Sequence, residues 1–355
     1  MLPWFDQGNF PLYLAPMAGF TDTGYREICK ALGADVMVTE FVMANSLLEG
    51  RPEVWETLDF EDTQRPVGIQ IFGSDPQRMA AAAQKVVEQR SPDFLDLNFG
   101  CPSEKVTCQM AGASLLKDLS KLGEIARAVR RALPNFPVTA KIRIGWDHRS
   151  IVAVEAGKVL QDAGMEALAV HGRTRRQGYQ GDADIATVCQ VADALTIPVI
   201  ANGSVEGWDR IRFLHRESAC AGAMIGRAAL GYPWIFQELK QFIATGEVPP
   251  PPTSQQRWET LLAYAYQLKQ RPTGQRHGDS IRWMISKLLS LTKGMRHSKR
   301  IREDLRQSTT LEDLVARVGR WIERDTNYPE TEYPADPYVP PLETTQACAV
   351  DLSRP

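Results

Sequence analysis

The sequence predicts an α/β fold, a TIM-type (β/α)8 barrel followed by a helical bundle. Eight short apolar runs alternate with helical patterns over about the first 245 residues, and this alternation over ~250 residues is typical of the parallel barrel. Most of the runs are continuously apolar, as expected for strands that are covered on both faces. The alternative is an open doubly wound sheet, but no Gly-x-Gly-x-x-Gly pattern follows the first run.

The predicted strands and helices follow one another along the chain. The strands are predicted at 12–17, 35–39, 67–72, 94–98, 138–142, 167–171, 198–202 and 222–226. Helical patterns between them include 76–90, 120–132, 151–163 and 207–217. Four prolines at 249–252 end this pattern, and the apolar stripes beyond them have purely helical spacing. We therefore predict a barrel domain at 1–245, a helical domain at 246–324 and a Pro-rich acidic tail, extended or disordered, at 325–355.

Composition and charge exclude several classes of protein. No stretch of about 18 apolar residues occurs, and the first ten residues lack a basic segment followed by an apolar run, so we expect a cytoplasmic protein without a membrane span. The six cysteines form no Cys-x-x-Cys pair, and we expect neither disulfides nor a metal site. Residues 253–324 carry 15 Lys and Arg against 7 Asp and Glu, which indicates a polyanionic partner.

Polar or Gly-rich residues lie at the ends of most of the predicted strands, where a parallel barrel gathers its chemistry. These tips are Pro16-Met17-Ala18, Glu40, Gln70, Asn98 with Cys101, Lys141 with Arg143, His171, Asn202-Gly203-Ser204 and Gly226-Arg227. A lone Lys or His at such a position is commonly a surface or core residue, but eight successive polar tips indicate a site. Cys101 lies in a Gly/Pro turn directly after a strand, which makes it a candidate acid or nucleophile.

The tips match the needs of a flavin phosphate. Barrels commonly bind phosphate after their last two strands, where this chain has Asn202-Gly203-Ser204 and Gly226-Arg227. The amide of Gln70 suits the carbonyl and N–H edge of a flavin ring. Lys141 offers positive charge where a reduced flavin becomes anionic.

The chain resembles the tRNA-dihydrouridine synthases, and among them the bacterial B-like members, over roughly residues 10–322. The matching segments are LAPMAGFTD at 14–22, Gln70, LNFGCPS at 97–103 with Lys105-Val106, AGASLL at 111–116, KIR at 141–143, HGRT at 171–174, PVIANG at 198–203 and MIGRA at 224–228. The resemblance implies an enzyme with an FMN-bearing barrel that reduces particular uridines of tRNA to 5,6-dihydrouridine with NADPH. Hydride would pass from flavin N5 to C6 of the uracil, and Cys101 would give a proton to C5.

The resemblance also implies a role for each matching residue. The FMN contacts are Pro16, Met17, Ala18, Gln70, Lys141, His171, Asn202, Gly203, Ser204, Gly226 and Arg227. Asn98, Arg143 and His171 match positions that hold the flipped uracil. Ser204 departs from the pattern, because an acidic residue often follows the Asn-Gly pair. A second cysteine, Cys108, lies in the loop after Cys101.

Because an acid must keep its proton until it is transferred, the site should not strongly lower the pKa of Cys101. Lys141 and Arg143 would lower it if they pointed at the sulfur. We therefore expect these two cations to face the uracil carbonyl or the flavin.

Basic residues crowd the helical domain and the loop after His171, and we expect them to contact tRNA phosphates. They are Arg282, Lys287, Lys293, Arg296, Lys299, Arg300, Arg302 and Arg306, together with Arg173, Arg175 and Arg176. Among these, Arg173, Arg296 and Arg300 are the predicted substrate contacts. Two alternatives remain open: an FMN oxidoreductase acting on a small molecule, and an RNA-binding protein with an inactive barrel. No stable protein partner is predicted, and a monomer is expected.

Overall fold

The structure, a computed structural model, describes residues 2–270 and 281–327. Nine strands in this part of the chain form one parallel sheet. They are β1 (Leu12–Leu14), β2 (Met37–Val38), β3 (Val42–Met43), β4 (Val67–Phe72), β5 (Phe94–Phe99), β6 (Val138–Arg143), β7 (Leu168–His171), β8 (Val199–Asn202) and β9 (Gly222–Ile225). All eight predicted strands are confirmed, with ends shifted by a few residues.

The sheet closes into a barrel between its first two strands. Hydrogen-bonded neighbours follow the order β1, β9, β8, β7, β6, β5, β4, β2. The backbone N–H of Leu14 donates to the carbonyl of Val36 at 3.0 Å, which joins β1 to the segment that leads into β2. The unpredicted strand β3 pairs its two residues with the end of β4. A strand of two residues is too short to show a period in the sequence.

The helices surround the barrel and then continue beyond it. They are α1 (Thr23–Ala31), α2 (Ala44–Leu48), α3 (Pro52–Glu56), α4 (Pro76–Arg90), α5 (Glu104–Thr107), α6 (Leu119–Ala132), α7 (Ala153–Asp162), α8 (Ile185–Ala194), α9 (Trp208–Arg216), α10 (Arg227–Gly231), α11 (Ile235–Thr245), α12 (Ser254–Gln270), α13 (Ile281–Leu288), α14 (Ser298–Leu305) and α15 (Leu311–Asn327). Side-chain caps explain several starts: the carboxylate of Asp75 accepts the backbone N–H of Arg78 at 2.8 Å, and Pro76 follows it. None of the helices in the described ranges combines the length and apolar character needed to cross a membrane.

Alternation along each strand separates two cores. In β5, Leu95, Leu97 and Phe99 belong to the large outer core beneath the helices. Phe94 belongs to a second core inside the barrel. Because side chains of a strand alternate between faces, the intervening Asp96 and Asn98 share the inward face with Phe94.

The end of the barrel at which the strands begin is plugged by the N-terminal segment. Leu2, Trp4 and Phe5 pack against the inner core. The indole N–H of Trp4 donates to the hydroxyl of Tyr13 at 2.5 Å. The predicted site residues lie at the opposite end, where the strands end, and we call this end the mouth.

Helix α12 packs against α1 of the barrel, and α15 packs against α12. The ring of Tyr264 meets Tyr25 edge-on with centroids 5.4 Å apart, and its hydroxyl donates to Asp22 at 2.8 Å. The apolar stripes predicted from the sequence supply buried residues such as Trp258, Leu261 and Leu314. Helix α15 continues to Asn327, past the predicted start of the tail at 325, and 328–355 lie outside the described residues. The domain division at 245/246 stays a prediction.

Packing inside the barrel predicts the effect of one methyl group. A Cβ on Gly68, in β4, would lie 2.2 Å from the ring of Phe94, so Gly68→Ala should lower the free energy of unfolding. We expect a loss of about 1–3 kcal/mol from overpacking. The matched control is Gly319→Ala in α15, where a Cβ meets no atom within 4 Å. There the better helix propensity of Ala should add about 0.5–1 kcal/mol. Chemical denaturation compares the two, and equal changes would contradict the close contact.

Candidate active site at the barrel mouth

The structure brings the predicted tips of neighbouring strands together at the mouth. Pairing aligns Asn98 with Lys141, and it aligns His171 with both Arg143 and Asn202. The Lys141 ammonium donates to the side-chain oxygen of Asn202 at 2.9 Å, across the intervening strand β7. The amide nitrogen of Asn202 donates in turn to the carbonyl of Met224 at 2.7 Å. The side chains of Lys141 and Asn202 thus link the ends of β6, β8 and β9.

Cys101 is held at the mouth by the turn that ends β5. The side-chain oxygen of Asn98 accepts the backbone N–H groups of Gly100 at 3.1 Å and Cys101 at 2.9 Å. Cys101 is 9% exposed. Burial raises the pKa of its thiol, although the charges of Arg143 and Lys141 act in the opposite direction. The thiol therefore stays protonated at neutral pH, as the sequence predicts for an acid.

Arg143 is committed to the backbone around the mouth. Its guanidinium donates to the carbonyls of Gly100 at 3.0 Å, Thr174 at 2.9 Å and Gly178 at 2.7 Å, and it is only 2% exposed. These contacts tie the loop after β7 to the loop that carries Cys101. The predicted contact of Arg143 with uracil stays a prediction.

His171 is neutral and has a defined tautomer. Its Nε2 lies 3.2 Å from Nη1 of Arg173. Because an arginine N–H can only donate, Nε2 is the acceptor and the proton is on Nδ1. Burial lowers the pKa of His171 well below its usual value, and the charges of Arg143, Lys141, Arg173 and Arg227 lower it further.

Gly203 and Ser204 fit closely around this pair. Gly203 has φ +98°, and a Cβ there would lie 2.6 Å from the His171 ring. Ser204 also has a left-handed backbone, with φ +49°. Its hydroxyl accepts a hydrogen bond from Nη2 of Arg173 at 2.8 Å. An acidic residue often occupies this position in the family that the chain resembles. Here the Ser204 side chain instead holds Arg173 through a neutral hydroxyl.

The loop after β1 carries Pro16, Met17 and Ala18 and is held from two sides. The backbone N–H of Gly19 donates to Glu40 at 2.8 Å, and the carbonyl of Gly19 accepts from Lys287 of α13. Lys287 also pairs with Asp22 at 3.0 Å, and its side chain is 10% exposed. The sequence grouped Lys287 with the residues that contact tRNA, but in the structure it attaches α13 to the barrel.

Gly226 and Arg227 follow β9 on the other side of that loop. A Cβ on Gly226 would lie 3.7 Å from Ala15 and 3.8 Å from Met17. These are ordinary van der Waals distances, so the space beside the end of β1 would admit a methyl group at this position. Arg227 is exposed and lies over the ring of Tyr179, with 4.6 Å to its centroid. The same ring lies 5.4 Å from the guanidinium of Arg143. Tyr179 was missed by the sequence analysis, because it lies in a loop without a regular pattern.

Two further polar residues that the sequence analysis missed lie deeper in the barrel. Asp96 and Thr139 each precede a predicted tip, Asn98 and Lys141, by two residues on the same strand. Residues two apart on a strand face the same side, so this spacing was the signal that could have identified them. Gln70 is fully buried beside them.

The two predicted tRNA contacts of the helical region differ in their exposure. Arg300 is exposed on α14, whereas Arg296, just before this helix, is half-buried. Within 2–270 and 281–327, the structure contains no group of three or more His, Cys, Asp or Glu side chains that could hold a metal ion.

The mouth is electrostatically positive. Burial lowers the pKa of Lys141 to about 8 and that of Arg143 to about 10, and repulsion between these two neighbouring cations contributes to the shift at Lys141. Burial and the neighbouring Arg227 also lower the pKa of Arg173. Cations that destabilise one another in this way are best satisfied by an anion.

Comparison with known proteins gives consistent matches. A family model described as dihydrouridine synthase matches residues 13–324. A protein named tRNA-dihydrouridine synthase B from Xanthomonas axonopodis pv. citri is 43% identical over 253 residues, covering 71% of this chain and 75% of the relative. A protein of the same name from Pseudomonas aeruginosa is 41% identical over 236 residues, covering 66% and 70%. Histamine dehydrogenase from Rhizobium sp. 4-9 shares the fold, with TM-score 0.50 and 13% identity over 72% of this chain and 48% of that chain.

The lowered pKa of Lys141 predicts a pH dependence of stability. The folded-state pKa is about 8, and a lysine in an unfolded chain has a pKa of about 10.4. Between these values the unfolded state binds more protons, so the contribution of Lys141 to the free energy of unfolding rises with pH. Lys141→Met should remove this rise. Denaturant unfolding of both proteins, freed of bound small molecules, at pH 7.5, 9 and 10.5 measures it, and identical pH slopes would contradict the shift.

Proposed function

The chain belongs to the dihydrouridine synthase family, and we propose that it reduces uridines of tRNA to 5,6-dihydrouridine. One structural observation carries the proposal: a protonated thiol and several cations converge on a single barrel mouth. The tRNA substrate rests on the names of the relatives. These names favour this activity over the two alternatives, a small-molecule oxidoreductase and an inactive RNA-binding barrel.

The residues at the mouth fit FMN as the cofactor. The positive field of Lys141, Arg173 and Arg227 suits a phosphate and an anionic reduced ring. The Gln70 amide makes one hydrogen bond through each of its two polar atoms and keeps one N–H and one lone pair for a further partner. The residues that would hold FMN are Pro16, Met17, Ala18, Gln70, Lys141, His171, Asn202, Gly203, Ser204, Gly226 and Arg227.

Different residues of this group would contact the phosphate and the ring of FMN. Gly203, Ser204, Gly226 and Arg227 follow the last two strands, where a phosphate meets backbone N–H groups and a cation. Nε2 of His171 accepts an N–H of Arg173, so the ring carries its proton on Nδ1 and only this N–H remains to be donated. When bound and reduced by NADPH, the flavin supplies the hydride that adds to C6 of the uracil.

Cys101 supplies the proton that completes the reduction at C5. Its raised pKa keeps the thiol protonated until a carbon with developing negative charge is close to it. Arg143 and Lys141 lie nearby, but their hydrogen bonds go to backbone carbonyls and to Asn202, respectively. Their charges act on the sulfur without a hydrogen bond to it and would partly compensate the thiolate that forms after the proton has left.

The uracil would be held by Asn98, Arg143 and His171 after leaving its stack in the tRNA, and Arg173 would be a further contact with the substrate. Unstacking costs a few kcal/mol and is easiest where the RNA is already looped. Helices α12 to α15, with Arg296 and Arg300, would bind tRNA phosphates and orient the substrate on the mouth. A tRNA substrate agrees with the cytoplasmic location that the sequence predicts.

Removal of the thiol tests the role of Cys101. Cys101→Ala should bind FMN and accept electrons from NADPH, but dihydrouridine formation should fall by about 10²–10⁴-fold, as for loss of a general acid. Dihydrouridine in unmodified tRNA is measured by mass spectrometry after a timed reaction, and flavin reduction is followed by absorbance. Cys108→Ala is the control, because Cys108 is exposed and should leave the rate unchanged. Normal product formation by Cys101→Ala would refute the assignment.

Charge reversal tests the basic helical surface. Lys299 and Arg300 are both exposed on α14, so Lys299→Glu with Arg300→Glu should weaken tRNA binding about ten-fold or more and reduce its salt dependence. Flavin reduction by NADPH should not change. The control makes the same change of charge on the outer barrel helices α7 and α9, with Lys158→Glu and Arg216→Glu, both exposed. Filter binding at several salt concentrations gives the affinities, and equal losses in the two variants would exclude a specific role for α14.

A further inference from the structure

A buried carboxylate inside the barrel has no part in the reaction described above. Asp96, on the inward face of β5, is 4% exposed. One carboxylate oxygen accepts the hydroxyl of Thr139 and the other accepts the amide N–H of Gln70, both at 2.6 Å. The amide oxygen of Gln70 accepts from the amide nitrogen of Asn98 at 2.8 Å. Because Asn98 also holds the backbone N–H of Cys101, these groups form one continuous chain of hydrogen bonds.

The direction of this chain is determined by the backbone donors at its Cys101 end. At one end, the backbone N–H groups of Gly100 and Cys101 can only donate, so the Asn98 oxygen must face them. The Asn98 nitrogen then faces Gln70, whose oxygen must accept. The Gln70 nitrogen therefore faces Asp96, whose carboxyl oxygen accepts its N–H. The amide orientation of Gln70 follows from these constraints alone.

The surroundings of Asp96 make a purely structural role costly. Its neighbours inside the barrel are largely apolar and include Tyr13, Phe94 and Met224. A carboxylate there loses its hydration and recovers only two hydrogen bonds, and burial correspondingly raises its pKa. An apolar residue of similar size would fill the space at lower cost, as Ala169 and Ile200 do on β7 and β8.

We propose that Asp96 is a positioning residue that fixes the Gln70 amide, so that its remaining N–H and its remaining lone pair meet the flavin edge in one orientation. The inference rests on the proposed function, in which Gln70 contacts FMN. Through Asn98, the same chain ties this amide to the backbone of Cys101. The Gln70 amide, which would face the flavin, and Cys101, which would give the proton, are thereby fixed relative to each other by hydrogen bonds.

Removing Asp96 should release one end of the Gln70 side chain. A simple flip of the amide is opposed at its other end, because the Gln70 nitrogen would then face the nitrogen of Asn98. The side chain must instead rotate to find a new acceptor for its N–H. Asp96→Ala should therefore weaken FMN binding about ten-fold.

Asp96→Asn is the conservative variant. Its side-chain oxygen can accept from Gln70, and its nitrogen can donate to Thr139. The Thr139 hydroxyl can then turn toward the carbonyl of Leu95, which lies 3.5 Å away. We expect this variant to bind FMN nearly as tightly as the unmodified protein.

A double-mutant cycle separates positioning from a general structural effect. The dissociation constant of FMN is measured by quenching of its fluorescence for the unmodified protein, Asp96→Ala, Gln70→Ala and the double variant, with unfolding midpoints as a check of folding. If Asp96 acts through Gln70, each single change weakens binding, and the double variant binds no more weakly than Gln70→Ala. Should Asp96→Ala fail to fold, Thr139→Val, which removes the hydroxyl from the other carboxylate oxygen, replaces it in the cycle with the same expectation.

Three results would overturn the inference. Independent, multiplicative losses in the double variant would show that Asp96 acts through the barrel as a whole. An unchanged FMN affinity in Asp96→Ala, with a weakened Gln70→Ala, would refute the positioning role and leave the proposed function standing. An unchanged affinity in Gln70→Ala would instead remove Gln70 from the FMN site, and the inference would fail together with that part of the proposed function.

Discussion

Closure of the barrel is the constraint on which the candidate site depends. Hydrogen bonding of Leu14 to Val36 joins the first and last members of the sheet path, so every strand ends at one common mouth. Period-two alternation then places every second side chain of each strand inside this ring. An open sheet with the same strands would spread Asn98, Lys141, His171 and Asn202 along an edge. In the closed barrel, Lys141 reaches Asn202 across β7.

Much of this arrangement could be predicted from the sequence, because regular periodicity is local information. The continuous apolar runs identify all eight barrel strands, and the polar residue at each end identifies the mouth. Asp96 and Thr139 were overlooked because a single polar residue inside a predicted strand does not by itself indicate a site, although its two-residue spacing from Asn98 or Lys141 carries the information. Tyr179 and β3 could not be predicted, since their positions depend on which loops meet after the barrel has closed.

Lys287 illustrates a different limit of sequence analysis. Its charge and its helix resemble those of its basic neighbours, so composition alone assigns it to the residues that are predicted to contact tRNA. In the structure it pairs with Asp22, which also accepts the hydroxyl of Tyr264, and it binds the carbonyl of Gly19. Helices α12 and α13, which follow the four prolines, therefore both bind the short loop after β1. Any movement of α12 or α13 relative to the barrel must act on this loop, which carries Pro16, Met17 and Ala18.

Burial and the neighbouring cations together determine the protonation states of Cys101 and His171 at the mouth. Cys101 and His171 lie among several cations, which by themselves favour a thiolate and a neutral imidazole. Burial opposes the first tendency and reinforces the second, because it disfavours the charged form of any group. The imidazole is thus neutral for two reasons, while the thiol is protonated because desolvation outweighs the field. An anion bound at the mouth would weaken that field and so favour the protonated thiol further. If the proposed anionic cofactor binds at the mouth, its charge alone would therefore favour the protonated form of the Cys101 thiol.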